Sequence, residues 1–212
     1  MDYNYQNTIN TFHKLAKQWQ DKYMYVDLYN DTYDAFCALC IKPDTTVFEI
    51  GCGPGNITRY ILQQRPGFRI YGIDAAPAMI ELAKQNNPAA QFEVMDCRNI
   101  GDINEKFDAV ICGFCLPYLA KEDAEKLIRD AAELLHQDGV LYLSTIEDDY
   151  SKSQLQTSSD GQNTAYMFYY RENDLHKMLT ENGFSIQQSF RKVLEKPDGN
   201  SETGIIFLAK KN

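Results

Sequence analysis

At 212 residues and 44% hydrophobic side chains, the chain can bury a sizeable core as one domain, which excludes disorder throughout. A net charge of -9 argues against a broad phosphate-binding face, and so against nucleic-acid partners. With no basic, apolar-cored leader and no run of about 18 apolar residues, the expectation is a cytoplasmic protein without a membrane partner.

The first forty residues are aromatic and polar. Phe12, Leu15, Ala16 and Trp19 fall at i, i+3, i+4 and i+7, the spacing of an amphipathic helix. Asp31 or Thr32 is placed to cap a second helix that reaches Cys40 and stops before Pro43. Both helices precede the first strand and have little sheet of their own to cover. The expected organisation is therefore an N-terminal cap or lid over residues 1–44, followed by a domain over 45–212.

From Thr46 onward strand-like and helix-like segments alternate. Val47–Ile50 is a short apolar strand, followed by Gly51-Cys52-Gly53-Pro54-Gly55 and a helix carrying Ile57, Tyr60 and Ile61 on one face. Arg69–Ile73 ends at Asp74, and Pro77 suits the first turn of a helix carrying Met79, Leu82 and Ala83. Gln91–Met95 ends at Asp96, and Phe107–Cys112 forms a fourth strand. The stripe Ala124, Leu127, Ile128, Ala131, Leu134 and Leu135 marks the best helix, and Asp138-Gly139 turns into a strand over Val140–Thr145. Such alternation implies parallel strands covered by helices on both faces. Glu147–Thr164 then reads as a polar, substrate-side insertion, and Leu175, Met178 and Leu179 as a helix ended at Asn182-Gly183. Phe184–Phe190 and Gly204–Ala209, joined through Pro197-Asp198-Gly199-Asn200, make an antiparallel hairpin at the sheet edge.

Six cysteines include two C-x-x-C pairs, Cys37/Cys40 and Cys112/Cys115. They lie much farther apart than the roughly 15–20 residues usual between zinc-ribbon pairs, so reduced thiols and no metal are expected.

The glycine loop follows the first strand, where an open α/β sheet places its ligand. Glycine there lets a ligand approach the backbone without a Cβ in the way. A dinucleotide pattern requires Gly-x-Gly-x-x-Gly, whereas here the third glycine is one residue early and Asn56 stands in its place. Asp74 is placed to accept from ribose hydroxyls and Asp96 from an adenine amino group. With Glu49 ahead of the loop, this acidic set suits a nucleoside carrying positive charge and no phosphate, as S-adenosylmethionine does.

The blocks VFEIGCGPGN, YGIDAAPAMI, FEVMDC, FDAVICGF and ENGF, running from about Val47 to Ala209, resemble the class I S-adenosylmethionine-dependent methyltransferases, especially the small-molecule branch. The resemblance implies a Rossmann-like α/β fold with seven strands in order 3-2-1-4-5-7-6, strand 7 antiparallel. It also implies the roles of the cofactor residues. The backbone of Gly51, Cys52 and Gly53 would cradle the methionyl part, Glu49 and Gly55 would belong to the same cofactor site, and Asp74 would bind the ribose. Ala75 and Met79 would flank the adenine, Asp96 and Cys97 would meet its edge, and Cys112, Gly113 and Phe114 would line the sulfonium.

Methyl transfer is an in-line displacement that depends chiefly on alignment, and a base is needed only for a protonated acceptor. No triad is visible, so no catalytic residue is assigned. His13, Tyr118 and Tyr170 are the candidates. After the fourth strand stands Cys115-Leu116-Pro117-Tyr118, without the leading Asn or Asp found in many enzymes that methylate bases or amides. Trp19, Tyr23, Tyr25, Tyr118, Tyr166, Tyr169 and Tyr170 are the candidate walls of an aromatic acceptor pocket suited to a planar or cationic molecule. The expected function is methylation of a small molecule, by a monomer or homodimer, with S-adenosylhomocysteine as product. The rivals are a module that only binds this cofactor and a dinucleotide oxidoreductase.

Overall fold

The computed structural model describes residues 5–158, 161–195, 199 and 201–212. In chain order the elements are α1 (Tyr5–Tyr23), α2 (Asn30–Leu39), β1 (Thr46–Ile50), α3 (Asn56–Gln64), β2 (Arg69–Asp74), α4 (Pro77–Asn86) and β3 (Gln91–Val94). They continue with β4 (Phe107–Gly113), α5 (Lys121–Leu134), β5 (Leu135–Ile146), β6 (Gln154–Thr157), β7 (Thr164–Met167), α6 (Glu172–Glu181), β8 (Phe184–Glu195) and β9 (Ser201–Lys211).

Seven strands form one sheet in the order β3-β2-β1-β4-β5-β9-β8. β1 to β5 pair in parallel, while β9 runs antiparallel to both β5 and β8. This is the order implied by the resemblance, with the two closing strands numbered later. The difference arises because the stretch Glu147–Thr164, expected as a polar insertion, contributes a separate two-stranded ribbon, β6–β7. Pro197, Asp198 and Asn200 of the β8–β9 connection lie outside the described residues.

Alternation along each strand divides the core into two layers. On one face, Phe48, Ile50, Val110 and Leu141 pack with the apolar stripe of α5 and with Leu175 and Leu179 of α6. On the other, Val47, Ile111, Tyr142 and Leu208 pack with Ile57 and Ile61 of α3 and with Tyr33, Phe36 and Cys37 of α2. α2 therefore covers the sheet and is not part of a lid. Its start also differs from expectation. Thr32 caps nothing: its hydroxyl donates to the Tyr29 carbonyl at 2.7 Å and shares a 3.0 Å hydrogen bond with the Tyr142 hydroxyl, tying α2 to β5.

α1 does lie outside the layers. It packs through Ala16, Phe12 and Trp19 on Ala76 and Met79 at the start of α4. Its Tyr5 hydroxyl donates to Asp123 at 2.5 Å and accepts from the Ala120 amide at 3.0 Å, at the start of α5. Thr11 reaches the Thr164 carbonyl in β7 at 2.8 Å. α4 and α5 begin just past the carboxyl ends of β2 and β4, so α1 spans that end of the sheet.

Phe36 is fully buried between α2 and the sheet. We predict that Phe36→Ala costs about 3–5 kcal/mol of stability in urea denaturation; a loss below about 1 kcal/mol would return α2 to a peripheral role.

Candidate active site

β1 and β2 lie side by side, with Glu49 opposite Gly72 and Ile50 opposite Ile73, so both deliver an acid to the region of the glycine loop. Cys52 N–H donates to the Ile73 carbonyl at 2.9 Å, which anchors the loop to β2. The Asp74 carboxylate then accepts from the Gly53 amide at 3.0 Å and from the Ala76 amide at 2.8 Å. One side chain thus ties the loop to the start of α4. Gly53 itself sits at φ 54°, and a Cβ there would have nothing within 4 Å. This glycine is demanded by its backbone conformation, and the space above it is open.

Glu49 lies beneath. It shares the α2–α3 face with Val47, is 1% exposed, and accepts a short hydrogen bond from the Thr58 hydroxyl of α3. Its Oε1 is buried without a hydrogen-bond partner among the described residues. A buried, half-satisfied carboxylate is costly, and burial pushes Glu49 up to about 8, against the lowering effect of Thr58. Asp74 is raised in the same way to about 6, burial outweighing its two backbone hydrogen bonds. These two acids are held ready for positive charge.

Other predicted cofactor residues are placed differently. A Cβ on Gly55 would lie 2.3 Å from Asn87 Nδ2 and 3.4 Å from Ala83, so this glycine serves the packing of the loop on α4. Gly113 likewise faces Ile57 Cδ1, which a Cβ would meet at 2.3 Å. The Cys52 side chain packs with Ile80, Ala83 and Phe92, leaving only its backbone for a ligand. Cys112 is fully buried in the α5–α6 layer and cannot line the site with its side chain. Met79 is packed against Ala16 beneath α1, whereas Ala75 is half-buried. Asp96 is occupied: Arg98 donates to both of its oxygens through its guanidinium and adds its backbone amide at 2.9 Å. The Cys97 and Cys115 sulfurs lie 3.7 Å apart as free thiols beside the loop.

The acceptor candidates divide in the same way. Tyr170 is buried with its hydroxyl on the Leu119 carbonyl at 2.5 Å, which removes it as a base. Tyr169 accepts from Gln156, and Tyr166 donates to Ser153 at 3.3 Å, so both serve the β6–β7 ribbon. Tyr25 is 76% exposed with Arg59 over its ring. His13 is exposed, and its Nδ1 accepts from the Ala78 amide at 3.1 Å, capping α4 from outside. Trp19, Tyr23 and Tyr118 remain around the mouth: Trp19 packs on Tyr23 at 4.3 Å, and Phe12 meets Tyr118 edge-on at 4.8 Å.

Several residues escaped the sequence reading. Thr58 stands three places into a helix with no mark of its partner. Asn86 donates from Nδ2 to the Pro54 carbonyl and to Gln20 Oε1, both at 2.8 Å, joining loop, α4 and α1. A polar pair at a helix end reads as a stop signal, so its bridging role had no sequence signature.

With this geometry in place, the comparisons with known proteins become decisive. Residues 47–139 match a family model described as a methyltransferase domain. Over this stretch, from β1 into β5, the chain is similar to methyltransferase domains. Among similar proteins, the trans-aconitate 2-methyltransferase of Escherichia coli is 38% identical over 95 residues, 45% of this chain and 36% of that protein. The malonyl-[acyl-carrier protein] O-methyltransferase of Acetivibrio thermocellus is 33% identical over 106 residues, 49% of this chain and 36% of that protein. The matched stretch thus spans about a third of the length of these curated relatives. Among solved structures, magnesium protoporphyrin IX methyltransferase from Synechocystis PCC 6803 with bound S-adenosylhomocysteine superposes with a TM-score of 0.73. It is 21% identical, covering 98% of this chain and 99% of that one, a likeness of fold.

The two buried acids yield a stability prediction. Both Glu49 and Asp74 hold protons in the folded state at pH values where the unfolded chain has released them, so stability falls as pH rises from about 4.5 to 8. Glu49→Gln is expected to remove most of that slope in thermal melts of the ligand-free protein. A wild-type melting temperature that is flat or rises over this window would contradict the placement of Glu49.

Proposed function

We propose that the chain is an S-adenosylmethionine-dependent methyltransferase that acts on a small-molecule acceptor. The observation that carries this reading is the pairing of an open, left-handed Gly53, fixed by Asp74, with a buried carboxylate that has one oxygen unpartnered. Open space over a Cβ-free backbone fits a closely approaching methionyl group, and the acids fit its ammonium and sulfonium charges. A pyrophosphate would meet those same acids, which disfavours a dinucleotide.

When bound, the cofactor supplies a methyl group on positively charged sulfur. The protein's own part is binding and alignment. The Gly51–Gly53 backbone cradles the methionyl end, Asp74 accepts from the ribose with the lone pairs its two amide bonds leave free, and the backbone at Cys97 meets the adenine edge. α1 spans the mouth and excludes water, which strengthens each electrostatic contact inside. The domain names of the relatives, all of them methyltransferases of small or carrier-bound acids or of a porphyrin, support transfer rather than mere retention of the cofactor.

Methyl release from labelled S-adenosylmethionine, screened over pooled metabolites, tests the activity; absence of transfer despite tight binding would favour the binding module. We further predict that Asp74→Ala weakens S-adenosylmethionine by at least about 1–2 kcal/mol, roughly tenfold, through loss of charge-assisted hydrogen bonds and of the loop anchor. An unchanged affinity would place the ribose elsewhere.

A further inference from the structure

Of the six cysteines, Cys37, Cys40, Cys52 and Cys112 are buried, and only Cys97 and Cys115 are partly exposed. Those two follow β3 and β4, which have β2 and β1 between them in the sheet. At about 4.8 Å from strand to strand, β3 and β4 stand roughly 14 Å apart. The two sulfurs are nevertheless 3.7 Å apart. The segments that follow β3 and β4 therefore lean toward each other across the carboxyl ends of β2 and β1, where the glycine loop lies.

Each thiol is presented by fixed backbone. The Asp96 carboxylate accepts from the Arg98 amide at 2.9 Å and so caps the 3-10 turn Cys97–Asp102, which begins at Cys97. On the other side Phe114 adopts φ 54°, its amide donating to the Ser144 hydroxyl at 3.0 Å, and this left-handed step breaks the line of β4 just before Cys115. Cys115 lands directly on the loop: a Cβ at Gly51 would lie 3.0 Å from the Cys115 Cβ and 3.1 Å from its sulfur. Both thiols are held above the ordinary thiol range, Cys97 by its contact with Cys115 and then by burial, Cys115 first by its contact with Cys112. The resting pair is therefore neutral, and its reactivity rises with pH.

We propose that Cys97 and Cys115 form a reversible disulfide that straps the mouth of the site and lowers its affinity for the cofactor. The proposal rests on the S-adenosylmethionine reading and adds a regulation of that same site. A disulfide requires the sulfurs about 2.05 Å apart, so the pair must close by more than ~1.5 Å. That closure draws Cys115 off Gly51 and shifts the Cys97 backbone proposed for the adenine edge. The oxidant is a peroxide. The thiolate of one cysteine attacks a peroxide oxygen, the O–O bond breaks, and the departing hydroxide leaves as water, giving a sulfenic acid. The second thiol attacks that sulfur, the S–O bond breaks, and the hydroxyl departs as water with the remaining proton. Two thiols thus lose two electrons, and the peroxide is reduced to two waters. Exchange with a small dithiol reverses the step.

The test compares the reduced full chain with the same protein treated with hydrogen peroxide at mildly alkaline pH. Peptide mass mapping is expected to find Cys97 linked to Cys115, and calorimetric titration to find S-adenosylhomocysteine bound at least about tenfold more weakly, with dithiothreitol restoring the affinity. By linkage, saturating S-adenosylhomocysteine then raises the reduction potential of the pair by about 30 mV for each factor of ten. In Cys115→Ser, peroxide is expected to leave the affinity within about twofold of the same variant untreated; Cys115→Ala replaces it under the same criterion should it fail to fold. No link or a link between other cysteines, unchanged affinity in the linked protein, a loss that dithiothreitol does not reverse, or the same loss in the variant each overturns the proposal. Failure of S-adenosylhomocysteine to bind the reduced wild type would instead sink the S-adenosylmethionine reading, whether or not the link forms.

Discussion

The Asp74 carboxylate, shared between the Gly53 and Ala76 amides, is the interaction on which the rest of the site depends. It joins the end of β2, the glycine loop and the start of α4 at one point. Removing it would leave the Gly53 amide without its side-chain acceptor, with the loop then held by the Cys52 amide on Ile73 and by Asn86 on Pro54. A second buried carboxylate, Glu49, sits under that loop with one oxygen committed to Thr58 and one to nothing. Burial raises both acids, so a negative charge on either is costly where no cation faces it. Their retention is understandable as preorganisation toward a cation, where desolvation has been met before the ligand arrives.

Around that centre the fold divides its labour. The sheet and its two helical layers fix where β1, β2 and β4 end. α1 closes the arrangement from above, through apolar packing on Ala76 and Met79 and polar contacts of different kinds: the Tyr5 hydroxyl, Thr11, His13 and the Gln20–Asn86 pair. Local opening draws on regions with sparse buried contacts, and α1 has only Thr8 and Ala16 buried along its 19 residues. It is the element best suited to admit ligand while the loop beneath stays fixed.

Parallel strands covered by helices were legible in the sequence because apolar runs of strand length alternated with stripes of helical period, whereas the strand order came from the family resemblance. Those patterns report burial directly. The glycine loop and Asp74 were legible because left-handed backbone and strand-end acids leave marks in the residue type itself. What stayed hidden was direction. Gly55 and Gly113 look like ligand glycines, yet each makes room for a neighbouring element, Asn87 in one case and Ile57 in the other. Asp96 stands in the expected place, but Arg98 two residues on occupies it. Tyr170 turns inward to Leu119, and α2 turns its Tyr33, Phe36 and Cys37 stripe onto the sheet although polar residues interrupt it. Thr58 acts on Glu49, nine positions back on a different element, which no local pattern encodes.

The central claim is that the loop over Glu49 and anchored by Asp74 is built for S-adenosylmethionine. Isothermal titration of the wild-type chain with S-adenosylmethionine, S-adenosylhomocysteine and NAD tests it most directly. The account predicts saturable binding of the first two with no detectable heat from NAD. Tight NAD binding without binding of S-adenosylmethionine would contradict it.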